Sequence, residues 1–235
     1  MKTFKVLSAL LTYPSYDLIA AAPEFPAVLD EENLVPAAQR PALDVLIEEI
    51  AAGDLYDLQE RYGLLFDRSR SLALHLFEHV HGESRDRGQA MVDLKKLYED
   101  AGFEIAANEL PDFVPLFLEF LSTQPPAAAR DLLAQPAHIL AALAERLGRR
   151  TSSYKAVFDA LVAIVEKAPR REAIEELLKG PDPDPMDLAA LDAAWEDEEV
   201  KFGPGAQNQD VCGRDNLIAR LRHAKRAVKS APSTL

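Results

Sequence analysis

A single cysteine, Cys212, occurs in 235 residues, which excludes an intramolecular disulfide and a cysteine-based metal cluster and suits a reducing compartment; the expected location is the cytoplasm. Glycine is sparse, at 10 residues. The chain has no G-x-x-x-x-G-K-[ST], no G-x-G-x-x-G and no G-x-S-x-G, so neither a phosphate-cradling loop nor a nucleophile elbow has a carrier. No run of 18 apolar residues is present to span a bilayer. Basic residues are in deficit: 26 Lys and Arg against 39 Asp and Glu give a net charge of -13. That field opposes nonspecific binding to nucleic acid or to an anionic membrane and attracts a basic partner.

What is present is helical spacing. The opening MKTFKVLSALLTYPSYD has the basic start and short apolar stretch of a signal peptide. Ser8, Tyr13, Pro14 and Asp17 interrupt that likeness, and Phe4, Leu7, Leu10 and Leu11 fall on one stripe, which predicts a packed first helix. Leu43, Leu46, Ile47 and Ile50 share a face, as do Leu55, Leu58, Tyr62 and Leu65. Leu132, Leu133, Ile139, Leu140, Leu143 and Leu147 continue the pattern on both sides of Pro136, which predicts two helices divided there. Phe158, Leu161, Val162 and Val165 form a further stripe. With no period-2 segment, the reading is an all-α bundle in one helical domain, residues 1–179. Residues 180–235 read as an appended tail: a PDPDPMD linker, an acidic stretch around Trp195, and a basic amphipathic segment, RDNLIARLRHAKRAVK.

Two stretches stand out as candidate sites. LPDFVPLFLEFLS places Phe113, Leu116, Phe117, Phe120 and Leu121 at i, i+3, i+4, i+7 and i+8, with Pro111 and Pro115 at or near the first turn and Asp112 suited to the helix dipole. LHLFEHVHGESRDRGQAM carries three of the five histidines, His75, His79 and His81. His75 and His79 are i, i+4, and Glu78 with His81 makes E-x-x-H, both spacings that can present metal ligands. A helical di-iron site, however, requires a second E-x-x-H, which the chain lacks. Packed or hydrogen-bonded histidines are the plainer reading. Ser84 suits a helix cap, and Arg85, Asp86 and Arg87 follow it against an unfavourable dipole, so ion pairs from Glu78, Glu83 and Asp86 are expected to offset them. Paired carboxylates such as Glu48 and Glu49 read as a solvated helix face. Nothing in the residues points to catalysis.

The stretches KVLSALLTYP, YGLLFDRSRSLALHLFEHVHGESRDRGQAMVDL, LPDFVPLFLEFLS and WEDEEVKFG, taken in order, resemble the molybdenum-cofactor assembly chaperones of respiratory nitrate reductase. This is the NarJ or nitrate reductase delta-subunit family within the wider TorD-like group. The resemblance implies an all-helical protein that is not an enzyme and holds no cofactor of its own. It implies binding to the N-terminal segment of the catalytic alpha subunit and help with molybdenum cofactor insertion before membrane docking. Molybdenum-cofactor biosynthesis proteins are further candidate partners; nucleic acid and stable membrane insertion are not expected. Two alternatives stay open: a TorD-like chaperone of another molybdoenzyme, and a helical metalloprotein using His75, His79 and His81.

A basic amphipathic peptide would lay its apolar side in a groove between helices while acids steer it. The expected groove lies beside the LPDFVPLFLEFLS helix and the histidine-bearing helix. Phe117 and Leu121 are its expected lining, Asp112, Glu119, Glu78, Glu83 and Asp86 its rim, Arg85 and Arg87 its organising cations, and His79 and His81 its pH-sensitive members, acting between pH 5 and 8. The basic C-terminal segment is itself a candidate occupant of that groove.

Overall fold

The computed structural model describes residues 1–81, 85–105, 109–165, 167–182, 184 and 187. Among them the architecture is all-α, and the one β-like feature is an isolated antiparallel bridge between His75 and Phe113. The helices run α1 (Lys2–Leu10), α2 (Tyr16–Ala21), α3 (Phe25–Glu32), α4 (Arg40–Ala52), α5 (Leu55–Tyr62), α6 (Glu78–His81), α7 (Arg85–Asp100), α8 (Val114–Thr123), α9 (Pro126–Leu133), α10 (Ala137–Arg149), α11 (Lys155–Ile164) and α12 (Arg171–Leu178). A π-helical turn over Gly63–Asp67 extends α5, and a 3-10 turn follows at Arg70–Leu72. Pro136 divides α9 from α10 as the spacing predicts. None of the described helices is long and apolar enough to cross a membrane.

The predicted stripes are the buried faces. Phe4, Leu7, Leu10 and Leu11 of the first segment, and Leu43, Leu46, Ile47 and Ile50 of α4, enter one continuous core. Burying a Leu or Phe side chain is worth about 1.5–3 kcal/mol, so these two stripes are the main apolar anchors of α1 and α4. Ser8, which breaks the apolar run of α1, is itself buried and donates its hydroxyl to the Pro115 carbonyl at 2.8 Å, pinning α1 to α8. The N-terminal end of α1 is capped from α3: the Lys2 and Thr3 amides donate to the Glu32 carboxylate at 2.6 and 2.7 Å. A carboxylate there satisfies orphan donors and meets the positive end of the dipole. Burial opposes ionisation of Glu32, yet those two amides hold its pKa below the ordinary value.

The C-terminal half closes around Arg146 of α10, which is 4% exposed. Its guanidinium donates to the carbonyls of Ser71 and Leu177, each at 2.7 Å, tying the 3-10 turn and α12 to α10. Burial disfavours its charge, and its pKa is lowered even though Asp182 lies near. Asp182 accepts from Arg150 at 2.6 Å and from the Ser71 hydroxyl at 2.8 Å. Burial opposes its ionisation, but these bonds outweigh the penalty and depress its pKa. The packed body therefore includes Asp182, slightly past the expected boundary at residue 179. The acidic stretch around Trp195, the basic segment and Cys212 lie outside the described residues.

Candidate functional site

The two stretches singled out in the sequence meet. Leu74 accepts from the Val114 amide at 2.8 Å, and the Asp112 carbonyl accepts from the Leu76 amide at 3.0 Å, so residues 74–76 and 112–114 form one short antiparallel contact. The Asp112 side chain completes it, accepting from the Phe77 amide at 2.9 Å. Helix α7 adds a third strut: the buried Tyr98 hydroxyl donates to the Pro111 carbonyl at 2.7 Å. The ring of His75 stacks on Phe113, with centroids 5.3 Å apart.

Asp112 is the electrostatic centre of this junction. It is 0% exposed. Burial raises its pKa, and the Phe77 amide, His75 and Arg87 only partly offset that cost. Its Oδ1 has no partner among the described residues. It therefore acts as a buried brace for the Phe77 backbone and not as the exposed rim acid expected. The dipole expectation also gives way: Asp112 precedes the α8 cap position, Phe113, and its carboxylate serves another segment.

The other expected site residues separate into buried and exposed groups. Phe117 and Leu121 are core residues, because α8 buries Leu118 and Phe120 as well and leaves little apolar surface for a groove. His79 donates its Nε2–H to the Ala73 carbonyl at 2.8 Å, and burial lowers its pKa. It stays neutral through the upper part of the pH range in which it was expected to switch. His75 sits in the bridge and α6 starts only at Glu78, so the i, i+4 helical spacing behind the metal reading is not realised. Among the described residues no three His, Cys, Asp or Glu side chains converge as a metal set would require. Arg87 and Glu78 do form the expected offsetting pair, at 3.1 Å and about three-quarters buried. Asp86 and Glu119 are exposed. Glu83 and Ser84, and the side chains of His81 and Arg85, lie outside the described residues.

The structure also contains a cleft of about 710 Å³ that the sequence reading missed. It lies between α4 (Val45, Glu49) and α5 with its π turn (Asp57, Glu60, Arg61, Leu64, Leu65), and the Arg150–Ser153 loop closes one end. Glu49, read as part of a solvated face, accepts from Arg61 at 2.7 Å and from the Ser153 hydroxyl at 2.5 Å. Arg61 also covers the Tyr154 ring at 5.3 Å. Thr151 holds a φ of 51°, a left-handed conformation that costs a side-chain-bearing residue about 1–2 kcal/mol. The spacing 57, 60, 61, 64 is a helical face and was available in the sequence; its partners, a loop some 90 residues later, were not.

With this geometry in place, comparison with known proteins identifies the family. The sequence pattern described as "Nitrate reductase delta subunit" matches residues 31–160. The chain is also 42% identical over 226 residues, 95% of its own length and 92% of the relative's, to the Nitrate reductase molybdenum cofactor assembly chaperone NarJ of Escherichia coli strain K12. The chain belongs to the nitrate reductase delta subunit family. Two further relatives are the Probable nitrate reductase molybdenum cofactor assembly chaperones NarW of the same strain and NarJ of Bacillus subtilis strain 168. NarW is 38% identical, covering 86% of this chain and 84% of the relative; the Bacillus protein is 32% identical, covering 74% and 93%. These delta-subunit relatives are chaperones by name, in agreement with the expectation that the chain is not an enzyme.

Proposed function

We propose that the chain is a dedicated chaperone for nitrate reductase assembly, that it binds the N-terminal segment of the catalytic alpha subunit, and that it assists molybdenum cofactor insertion before membrane docking. The observation that carries this reading is the 42% identity across 95% of the chain to a protein bearing that chaperone name. A net charge of -13 supports a basic segment as the part recognised. In this reading the exposed Asp86 and Glu119 steer the segment. The Glu78–Arg87 pair fixes the corner between α6 and α7, and Asp112 and Tyr98 act as positioning residues that brace this corner against α8. His81, Glu83 and Arg85 remain proposed contacts of the segment. The action takes place in the cytoplasm, and the molybdenum cofactor is cargo of the client.

The test is retention of the client. Tagged chain, expressed with its own nitrate reductase and recovered on resin, is expected to hold the catalytic subunit, and deletion of the chaperone is expected to leave the reductase deficient in molybdenum. Retention of a different molybdoenzyme would move the client. Failure to retain any large subunit, together with normal molybdenum loading in the deletion strain, would overturn the reading.

A further inference from the structure

The α4/α5 cleft has an unbalanced charge pattern. Three of its five charges are paired, Glu49 with Arg61 inside the cleft and Arg150 with Asp182 outside it. Asp57 and Glu60, on the exposed face of α5, form no ion pair among the described residues. Beside them lies apolar surface: Val45 is 51% exposed and Tyr56, one residue before Asp57, is 73% exposed, with Leu64 and Leu65 deeper in the cleft. Beneath it, Arg61 Nε and the Ser152 hydroxyl are buried without partners. An apolar floor with uncompensated carboxylates along one wall matches a cationic amphipathic helix. An anionic ligand would face Glu49, Asp57 and Glu60 together.

The position of Asp182 relative to the cleft indicates which segment of this chain could supply such a helix. Arg150 lines the cleft and also grips Asp182, at 2.6 Å, near the end of the described body. Asp182, the end of the last continuously described stretch, thus lies beside the cleft. Roughly 27 residues separate Asp187 from Arg214, and even a random coil of that length spans about 30 Å. The segment that follows, RDNLIARLRHAKRAVK, carries Leu217, Ile218, Leu221 and Val228 together with Arg220, Arg222, Lys225 and Arg226. Tethering at this range supplies a local concentration on the order of millimolar, so weak intrinsic affinity suffices.

We propose that residues 214–229 dock in this α4/α5 cleft of the same chain, apolar side toward Val45, Leu64 and Leu65 and cationic side toward Asp57 and Glu60. The cleft is distinct from the α6/α7/α8 junction of the proposed function, and the docking requires no client.

Proximity cross-linking in the full-length chain tests this. Cys212 is replaced by Ser, and single cysteines are placed by Val45→Cys and Ala224→Cys, the latter beside the apolar stripe; a short bismaleimide is added, and cross-linked peptides are identified by mass spectrometry. A control pairs Ala224→Cys with Val92→Cys, an exposed site on α7 outside the cleft. The expected result is an intramolecular link at Val45→Cys at least five-fold above the control, falling in high salt and lost with Asp57→Lys plus Glu60→Lys. Equal linking at both sites, persistence after charge reversal, or links found only between two copies would each overturn the proposal. Far-UV circular dichroism of every variant confirms that loss of the link is not loss of the fold.

Discussion

Replacing Asp112 separates its two physical roles. The carboxylate is buried and accepts the Phe77 amide at 2.9 Å. Asp112→Ala strands that amide, and a buried donor left unsatisfied costs about 1–3 kcal/mol; at about 2 kcal/mol the melting temperature falls by about 4–8 °C for a chain of this size. Asp112→Asn keeps an acceptor oxygen and loses only the charge. Because burial raises the folded-state pKa of Asp112 above its ordinary value, the native state binds more protons than the unfolded state between the two values. Stability from this group therefore falls as pH rises through that window. Urea unfolding followed by far-UV circular dichroism, from pH 4 to pH 7, is the assay. Asp112→Asn is expected to gain on the wild type as pH rises, and Asp112→Ala to be destabilised throughout. Equal losses in the two variants, or parallel pH profiles for wild type and Asp112→Asn, would refute the reasoning.

Other perturbations read neighbouring parts of the structure. Arg146→Met removes both charge-assisted bonds to Ser71 and Leu177 and is expected to cost about 3 kcal/mol, seen as a lower urea midpoint; a change under 1 kcal/mol would contradict the closure described for α10 and α12. Tyr98→Phe loses the bond to the Pro111 carbonyl, with an expected loss of about 1 kcal/mol and faster amide exchange at Leu76 and Val114; unaltered exchange there would detach α7 from the junction. His79 has a lowered folded pKa because it is buried, so its contribution to stability is present above the unfolded value of about 6.5 and lost as pH falls below it. His79→Gln should flatten the unfolding profile between pH 5 and 6.5, and an unchanged slope would assign the titration elsewhere. Asn33 ends α3 at φ 48°; Asn33→Ala should lose about 1 kcal/mol in thermal melts while Asn33→Gly stays near wild type, and equal losses would exclude backbone conformation as the cause.

The helices and their buried faces were legible in the sequence because apolar spacing is a local property: the α1 and α4 stripes are buried as read. The same spacing misled at α8. Phe117 and Leu121 form a strong apolar face, but a groove lining and a core face have the same period, and only tertiary packing, with Leu118 buried on another side, tells them apart. Asp112 failed for a related reason. A local rule assigns an acid before a helix to that helix's dipole, whereas its partner is Phe77, 35 residues earlier. The Glu78–Arg87 pair was readable because dipole repulsion demands a nearby acid. The Glu49–Ser153 contact spans 104 residues, so no local spacing announces it, and the cleft it borders was missed with it.

The central claim is recognition of a client segment, and isothermal titration with a synthetic peptide of the catalytic subunit's N-terminus tests it most directly. Full-length chain titrated at low and at high salt should bind the peptide saturably with one site per chain, more weakly as salt rises, and Asp86→Lys with Glu119→Lys should weaken it further. No saturable heat at peptide concentrations of several hundred micromolar would contradict the account.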